Sequence, residues 1–217
     1  MGIGAIIRRC FGRYEPQVAE AYRGFFVNLD DFIADVKQSV PDATSILEVG
    51  CGEGAICQRL QEKYPASQVT GIDITPNVGR LFQGSQDRVR FINSTIQDYA
   101  PQASGIHDLI LIADVLHHVP WSMHDEFLQH VTQTLAPDGW LIIKDWERRL
   151  NPIHALGYFS DRVLTGDKIR YGRLDDLKEI AIRTCGSESI QKVARYKPWP
   201  NNVALFLRPK VTSIPPQ

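Results

Sequence analysis

Residues 45–56, Ser-Ile-Leu-Glu-Val-Gly-Cys-Gly-Glu-Gly-Ala-Ile, constrain this chain more than any other stretch. Ser45 to Val49 is short and apolar, as expected of a strand covered on both faces. Gly50, Gly52 and Gly54 follow at alternate positions, and a helix is expected from there to about Tyr64. Glycine is needed where the backbone enters positive φ or where a ligand must approach the main chain closely. Three alternate glycines at the C-terminal end of a strand are expected to shape a hollow lined by backbone N–H groups. The positive end of the next helix faces into such a hollow, which suits a nucleotide-like ligand with a polar or anionic group.

The chain around this stretch is long enough to bury a core. It has 217 residues, of which 43% are hydrophobic, and a formal net charge of −1. That fits one domain over residues 1–217 and gives no general argument for nucleic-acid or membrane binding. No apolar run approaches the roughly 20 residues of a spanning helix. At the N-terminus Arg8 and Arg9 follow the apolar residues, the reverse of a secretory signal, and Ile6 stands where N-myristoylation needs Ser or Thr. Cys10, Cys51, Cys57 and Cys185 contain no C-x-x-C pair, so reduced thiols in a cytoplasmic protein are expected.

Residues 15–40 carry Val18, Tyr22, Phe25, Phe26, Leu29, Phe32, Ile33 and Val36 at three- and four-residue steps, and a helical run is expected there. It either covers one sheet edge, the reading preferred for such stripes, or lines a pocket with its aromatics. Further strands are expected at Gln68–Asp73, Val89–Asn93, Asp108–Ala113 and Trp140–Lys144, with helical segments between them. Ser122 to Leu135 is the clearest helix, with Ser122 as its cap and Met123, Phe127, Leu128, Val131 and Leu135 as its buried face. Pro137-Asp138-Gly139 then turns the chain. A helix from Leu174 to Thr184 precedes two strands, Ser189–Tyr196 and Val203–Arg208, whose short connection makes them antiparallel. The tail, residues 209–217, is expected to fray. The fold class is α/β: a doubly wound, Rossmann-like, seven-stranded sheet of five parallel strands and a C-terminal antiparallel hairpin.

The glycine spacing alone also fits a dinucleotide fold, since Gly50, Gly52 and Ala55 satisfy G-x-G-x-x-G/A and Asp73 ends the next strand. The terminal hairpin separates the two, because dinucleotide folds close with a sixth parallel strand. Four blocks resemble the class I S-adenosylmethionine-dependent methyltransferases. Ile46 to Gly54 is similar to the family's E/D-x-G-x-G-x-G loop, and Val69 to Asp73 to its second strand. Asp108 to Val119 is similar to its fourth strand and following loop. Leu135 to Ile143 is similar to its L-x-P-G-G turn, with Asp138 in place of a glycine. They span residues 45–147 in order. The resemblance implies S-adenosylmethionine as cofactor and S-adenosylhomocysteine as product. It implies Gly50, Cys51, Gly52 and Gly54 under the methionine end, with Glu48 orienting that end. It further implies Asp73 on both ribose hydroxyls, Ile74 and Asp98 at the adenine, and the Ala113 carbonyl and Asp114 at the end of the fourth strand.

Methyl transfer to oxygen or nitrogen of a small, secondary-metabolite or lipid-like acceptor is the function implied. His117 is the candidate base, with His118 and Asp145 at the same end of the sheet; the alternative for the histidines is a structural hinge. No metal is expected: Asp114 and Asp145 resemble the acids of metal-dependent catechol-type methyltransferases, but Trp146-Glu147 stands where those carry a further Asp-Asn pair. His107, His124 and His130 are expected on the surface or on a helix. Residues 148–173 carry six basic residues against two acidic ones, a local charge of +4. They form either a substrate lid, with His154, Tyr158, Phe159 and Tyr171 over an apolar or aromatic acceptor body and arginines such as Arg170 and Arg173 suited to an acidic group on it, or a solvated charged loop. The acceptor is a small molecule rather than a nucleic-acid adenine, because N/D-P-P-Y/F/W is missing after the fourth strand. No stable membrane insertion is expected, and the oligomeric state stays open. An NAD-dependent oxidoreductase and a non-catalytic binding protein of the same fold are the rival readings.

Overall fold

The structure, a computed structural model, describes residues 12–160 and 169–209. Its strands are β1 Ser45–Val49, β2 Gln68–Asp73, β3 Val89–Asn93, β4 His107–Ala113, β5 Leu135–Trp146, β6 Ile190–Tyr196 and β7 Asn202–Leu207. They form one seven-stranded sheet in the order β3-β2-β1-β4-β5-β7-β6. The first five strands run parallel, and β7 pairs antiparallel with both β5 and β6.

The helices are α1 Glu15–Phe26, α2 Leu29–Ser39, α3 Ala55–Lys63, α4 Ile96–Tyr99, α5 His124–Thr134, α6 Pro152–Ser160 and α7 Leu174–Cys185. Consecutive residues of each central strand go to opposite cores. Ile46, Val69, Leu109, Leu111, Ile142 and Phe206 pack with Phe32, Ile33 and Val36 of α2 and Leu60 of α3. Leu47, Ile110, Ile112, Leu141, Ile143 and Leu205 pack with Leu128 and Val131 of α5 and Ile180 and Ala181 of α7. Each such side chain contributes about 1.5–3 kcal/mol by leaving water, which explains why these strands read as unbroken apolar runs.

Four local expectations change. The helical run over residues 15–40 is two helices. Val27 leaves the helix to bridge Pro198, and Asn28 restarts it by accepting the Asp31 N–H at 3.1 Å. The segment between β2 and β3 is turns rather than helix: Pro76 and Gly79 interrupt it, and the Gly79 N–H bonds the Gly52 carbonyl at 2.9 Å. Helix α5 starts at His124 after a 3₁₀ turn, Trp121–Met123, without a side-chain cap from Ser122; Met123 is exposed and Leu135 already belongs to β5. Pro137-Asp138-Gly139 lies inside β5 as a bulge, between the His107–Leu135 and Leu109–Trp140 pairs.

His107 is buried at the start of β4, with its ring nitrogens 3.0 Å from Ser45 Oγ and from Tyr99 Oη, which corrects the surface-or-helix expectation. Cys51, Cys57 and Cys185 are free and buried. Cys10, residues 161–168 with Arg162 and Lys168, and the tail beyond Pro209 lie outside the described residues; Pro209 itself is buried. No helix among the described residues is long and apolar enough to cross a membrane.

Candidate active site

The glycine turn sits at the C-terminal edge of the sheet, where open α/β folds place their ligands. Gly50, Gly52 and Gly54 have φ of 77°, 51° and 91°. A Cβ at Gly50 would collide with the Val115 side chain, and one at Gly54 would lie 3.0 Å from Phe91 and 3.2 Å from the Gly79 Cα. Gly50 and Gly54 are therefore glycine for close approach as well as for conformation, and Gly52 for conformation.

Its N–H groups are used differently from the expected lining. Those of Gly50 and Cys51 donate to the Ile72 carbonyl at 2.8 and 3.0 Å. That of Gly52 donates to Asp73 Oδ2 at 2.7 Å, while Asp73 Oδ1 accepts the Thr75 N–H at 2.8 Å. The Asp73 carboxylate thus stands at the end of β2 over the glycine turn, with acceptor capacity left on both oxygens. Beneath it Glu48 is buried, and its Oε2 has no partner. Burial pushes the Glu48 carboxyl up to about 8, against a smaller lowering by hydrogen bonding to Cys57. Ile74 is 75% exposed beside Asp73. Asp98 is exposed in the first turn of α4 and accepts from Thr95 Oγ1 at 2.7 Å.

This arrangement fits a sulfonium nucleoside. It has a carboxylate for sugar hydroxyls, a backbone turn open to close approach, and a buried acid with an unmatched oxygen below the turn. Glu53 on the turn and Glu15 at the start of α1 both bind Arg80, at 2.7 Å. Helix α1 is thereby tied to the cofactor side of the fold.

A cavity of about 220 Å³ lies next to this edge, between α1 and the ends of β4, β5 and β7. Its aromatic wall is Tyr22, Phe26, Trp146 and Tyr171, and its polar groups are Arg23, Asp114, His117, His118, Lys144 and Asn202. The first half of the 15–40 stretch thus lines a pocket, whereas Phe32, Ile33 and Val36 of the second half cover the sheet.

His117 follows β4 in a 3₁₀ turn, Leu116–His118, and is 7% exposed. Its Nδ1 lies 2.6 Å from Asp145 Oδ1, and its backbone N–H donates to Asp145 Oδ2 at 3.2 Å. Asp145 also accepts the Trp146 N–H at 2.7 Å. Burial raises the Asp145 carboxyl, but the His117 charge and these hydrogen bonds outweigh it and hold the acid below its ordinary range. The His117 ring is flanked by His118 at 4.2 Å and Tyr171 at 4.7 Å between centroids. Asp114 has φ 56° and pairs with Lys144, a lysine only 1% exposed. A non-glycine residue at such φ is held by its surroundings, here also by its N–H to the Lys144 carbonyl at 2.9 Å.

The structure brings Asp114, His117, His118 and, through His117, Asp145 to one cavity, while Ala113 ends β4 behind them. Of the residues expected over the substrate, Tyr171 lines it, whereas His154, Tyr158, Arg170 and Arg173 do not. His154 accepts the Trp146 Nε1–H at 3.2 Å from behind the wall, and burial and Arg148 both lower its pKa. Tyr158 is 40% exposed on α6. Arg170 lies 4.6 Å over the Trp121 ring, and its N–H holds the His117 carbonyl at 3.0 Å. Arg173 precedes α7, where its N–H bonds Asp176 Oδ2 at 2.7 Å. Arg23, Lys144 and Asn202 went unread in the sequence: each sits in an ordinary helical or strand pattern with no motif around it.

A profile of a methyltransferase-domain family matches residues 19–185, which contain the glycine turn, Asp73 and the His117–Asp145 pair. The chain belongs to the class I S-adenosylmethionine-dependent methyltransferases. Trans-aconitate 2-methyltransferase of Variovorax paradoxus (strain S110) is 31% identical over 120 residues, 54% of this chain and 44% of that protein. The protein of the same name from Escherichia coli (strain K12 / DH10B) is 29% identical over 111 residues, 51% of this chain and 42% of that one. The aligned stretch spans less than half the length of these curated relatives. Among solved structures, the Burkholderia thailandensis 1,6-didemethyltoxoflavin-N1-methyltransferase, with bound 1,6-didemethyltoxoflavin and S-adenosylhomocysteine, superimposes with TM-score 0.67 at 17% identity. That match covers 94% of this chain and 88% of the other. The methyltransferase SibL in its apo form gives TM-score 0.67 at 19% identity, over 90% of this chain and 57% of its own. These two likenesses show a common fold.

Proposed function

We propose that this methyltransferase carries a methyl group from S-adenosylmethionine to an oxygen or nitrogen of a small acceptor with an aromatic body. The observation that carries the reading is His117, backed by Asp145, in the wall of an aromatic cavity at the same edge of the sheet as the glycine turn. Asp145 accepts the Nδ1–H of His117, which assigns the tautomer and leaves Nε2 as the basic nitrogen. His117 then takes the acceptor's proton, and the acceptor's lone pair forms the new bond to the methyl carbon. When bound, S-adenosylmethionine supplies that carbon on a sulfonium, and the breaking bond leaves its electron pair on sulfur as S-adenosylhomocysteine. Gly50, Gly52, Gly54 and Asp73 would hold the cofactor, with Glu48 below. The apolar walls exclude water and hold the acceptor in line.

The names of the curated relatives support a small organic acceptor, and so does the bound ligand of the Burkholderia structure. Isothermal titration with S-adenosylmethionine and with NAD tests the cofactor half. Tight binding of the first and none of the second is expected, and the reverse result refutes the reading. Turnover on a panel of small phenols and amines tests the other half. His117→Ala should lower kcat at least about a hundredfold while sparing cofactor affinity. An unchanged kcat removes His117 from the chemistry.

A further inference from the structure

Lys144 and Asn202 are cavity residues to which the proton transfer gives no task. Lys144 lies near the end of β5 and is 1% exposed. An ammonium carries three donors. The two Asp114 oxygens, at 2.8 and 2.6 Å, are its hydrogen-bond partners among the described residues, so one donor remains. Asn202 is fully buried, and its amide nitrogen donates to the Phe26 carbonyl at 2.6 Å and the Trp199 carbonyl at 3.3 Å. Those two acceptors fix the amide's orientation and leave Oδ1 as a buried acceptor without a partner. Such a group is held at a cost to the fold until something donates to it.

Asn202 stands opposite Trp146 in the β5–β7 ladder, so Asn202, Trp146 and Lys144 share one face of the sheet. Arg23, paired with Glu20 at 2.6 Å, brings a second cation to the wall, where Asp114 is the one acidic residue among the described residues. A buried cation is tolerable only when paired. Asp114 supplies that pair, yet its side chain is 39% exposed and can be solvated when another anion shares the ammonium.

We propose that Lys144 and Asn202 set acceptor specificity. The Lys144 ammonium seats an anionic oxygen of the acceptor, and Asn202 Oδ1 receives a neighbouring N–H or O–H. The class selected is a small aromatic acid with a donor beside its carboxylate. The inference rests on the methyltransferase reading in taking the cavity's occupant for the methyl acceptor.

Calorimetric titration of 2-aminobenzoate, 2-aminobenzamide and benzoate tests it on the full chain. The wild type should favour 2-aminobenzoate about tenfold over the neutral amide and about tenfold over the acid without a donor. Lys144→Met should erase the first preference and keep the second; Asn202→Leu should do the opposite. Asp114→Asn, which frees the ammonium, should tighten 2-aminobenzoate severalfold, and it decides the matter if Lys144→Met does not fold. The proposal is overturned if the wild type shows no preference or binds none of the three. It is equally overturned if the anion preference survives Lys144→Met, or if Asp114→Asn leaves 2-aminobenzoate affinity unchanged. Titration of S-adenosylhomocysteine into the same proteins keeps the two readings apart. Its failure to bind wild type sinks the methyltransferase assignment, whereas the probe ratios alone judge this one.

Discussion

On the proposed reading, the two halves of the sheet recognise ligands by different means. At the β1–β2 end the work falls to main chain: three glycines at positive φ, two of them packed too closely for a Cβ, and one carboxylate above them. At the β4–β5–β7 end it falls to side chains that leave buried strands and meet across the fold. His117 meets Asp145 from 28 positions away, and Asn202 reaches the Phe26 carbonyl from 176 away. The first half is shaped by local backbone geometry, which tolerates little change. The second is an assembly of separate elements, so the same scaffold can suit different acceptors by exchanging single residues.

If the halves are that distinct, mutations should separate their functions. The largest effect is expected from Asp145→Asn, which leaves His117 without the acceptor that sets its tautomer. Steady-state kinetics should show kcat down by about 10²–10⁴, with S-adenosylhomocysteine affinity unchanged. A parallel loss of that affinity would mean that the two halves do not act separately. Asp73→Ala should cost S-adenosylmethionine roughly a hundredfold in Kd by calorimetry, since hydrogen bonds to a charged group contribute about 1.5–3 kcal/mol each. Binding of 2-aminobenzoate should be untouched.

Glu48 gives the cofactor half a pH signature of its own. Its folded pKa of about 8 lies above the ordinary 4.5, so folding favours the protonated acid. The stability this allows is complete below pH 4.5 and is lost as pH rises toward 8, by about 3 kcal/mol at pH 7. Thermal melts of Glu48→Gln should therefore lie above wild type by a margin that grows from pH 5 to 8. A constant margin would mean that Glu48 titrates normally.

His107 acts with the opposite sign. Burial lowers its pKa from 6.5 to about 4, so its contribution is present above pH 6.5 and is lost as pH falls toward 4. His107→Gln should flatten that acid limb in a pH series of melting temperatures. The smallest effect is expected at Arg170 and Arg173, which stack on Trp121 and precede α7 rather than line the cavity. Alanine at either should change acceptor KM by less than about threefold, the scale of an exposed cation–π contact. A tenfold rise would restore these arginines to the acceptor site.

Legibility followed the same division. Ser45 to Gly54, Asp73 and the five parallel strands stand in the sequence because strand, glycine turn and helix are dictated by neighbours a few residues apart. The hinge at Val27 and Asn28 was hidden because the apolar period runs through it, and only the bridge to Pro198 breaks it. The bulge at Pro137 to Gly139 looked like a turn because its composition is that of a turn. The plus-charged 148–173 segment pointed to an acidic acceptor, and among the described residues the cavity's cations are instead Arg23 and Lys144.

By itself the sequence determined an α/β fold with a nucleotide turn, a carboxylate after the second strand and a terminal hairpin, since each is written in local spacing and hydrophobic period. Tertiary structure alone decided which charges face one another. Lys144 is one more residue of a strand until β4 presents Asp114 to it, and Asn202 is a hairpin polar residue until β7 carries it beneath α1. Pairing of buried polar groups depends on distances through space, and no spacing along the chain encodes those.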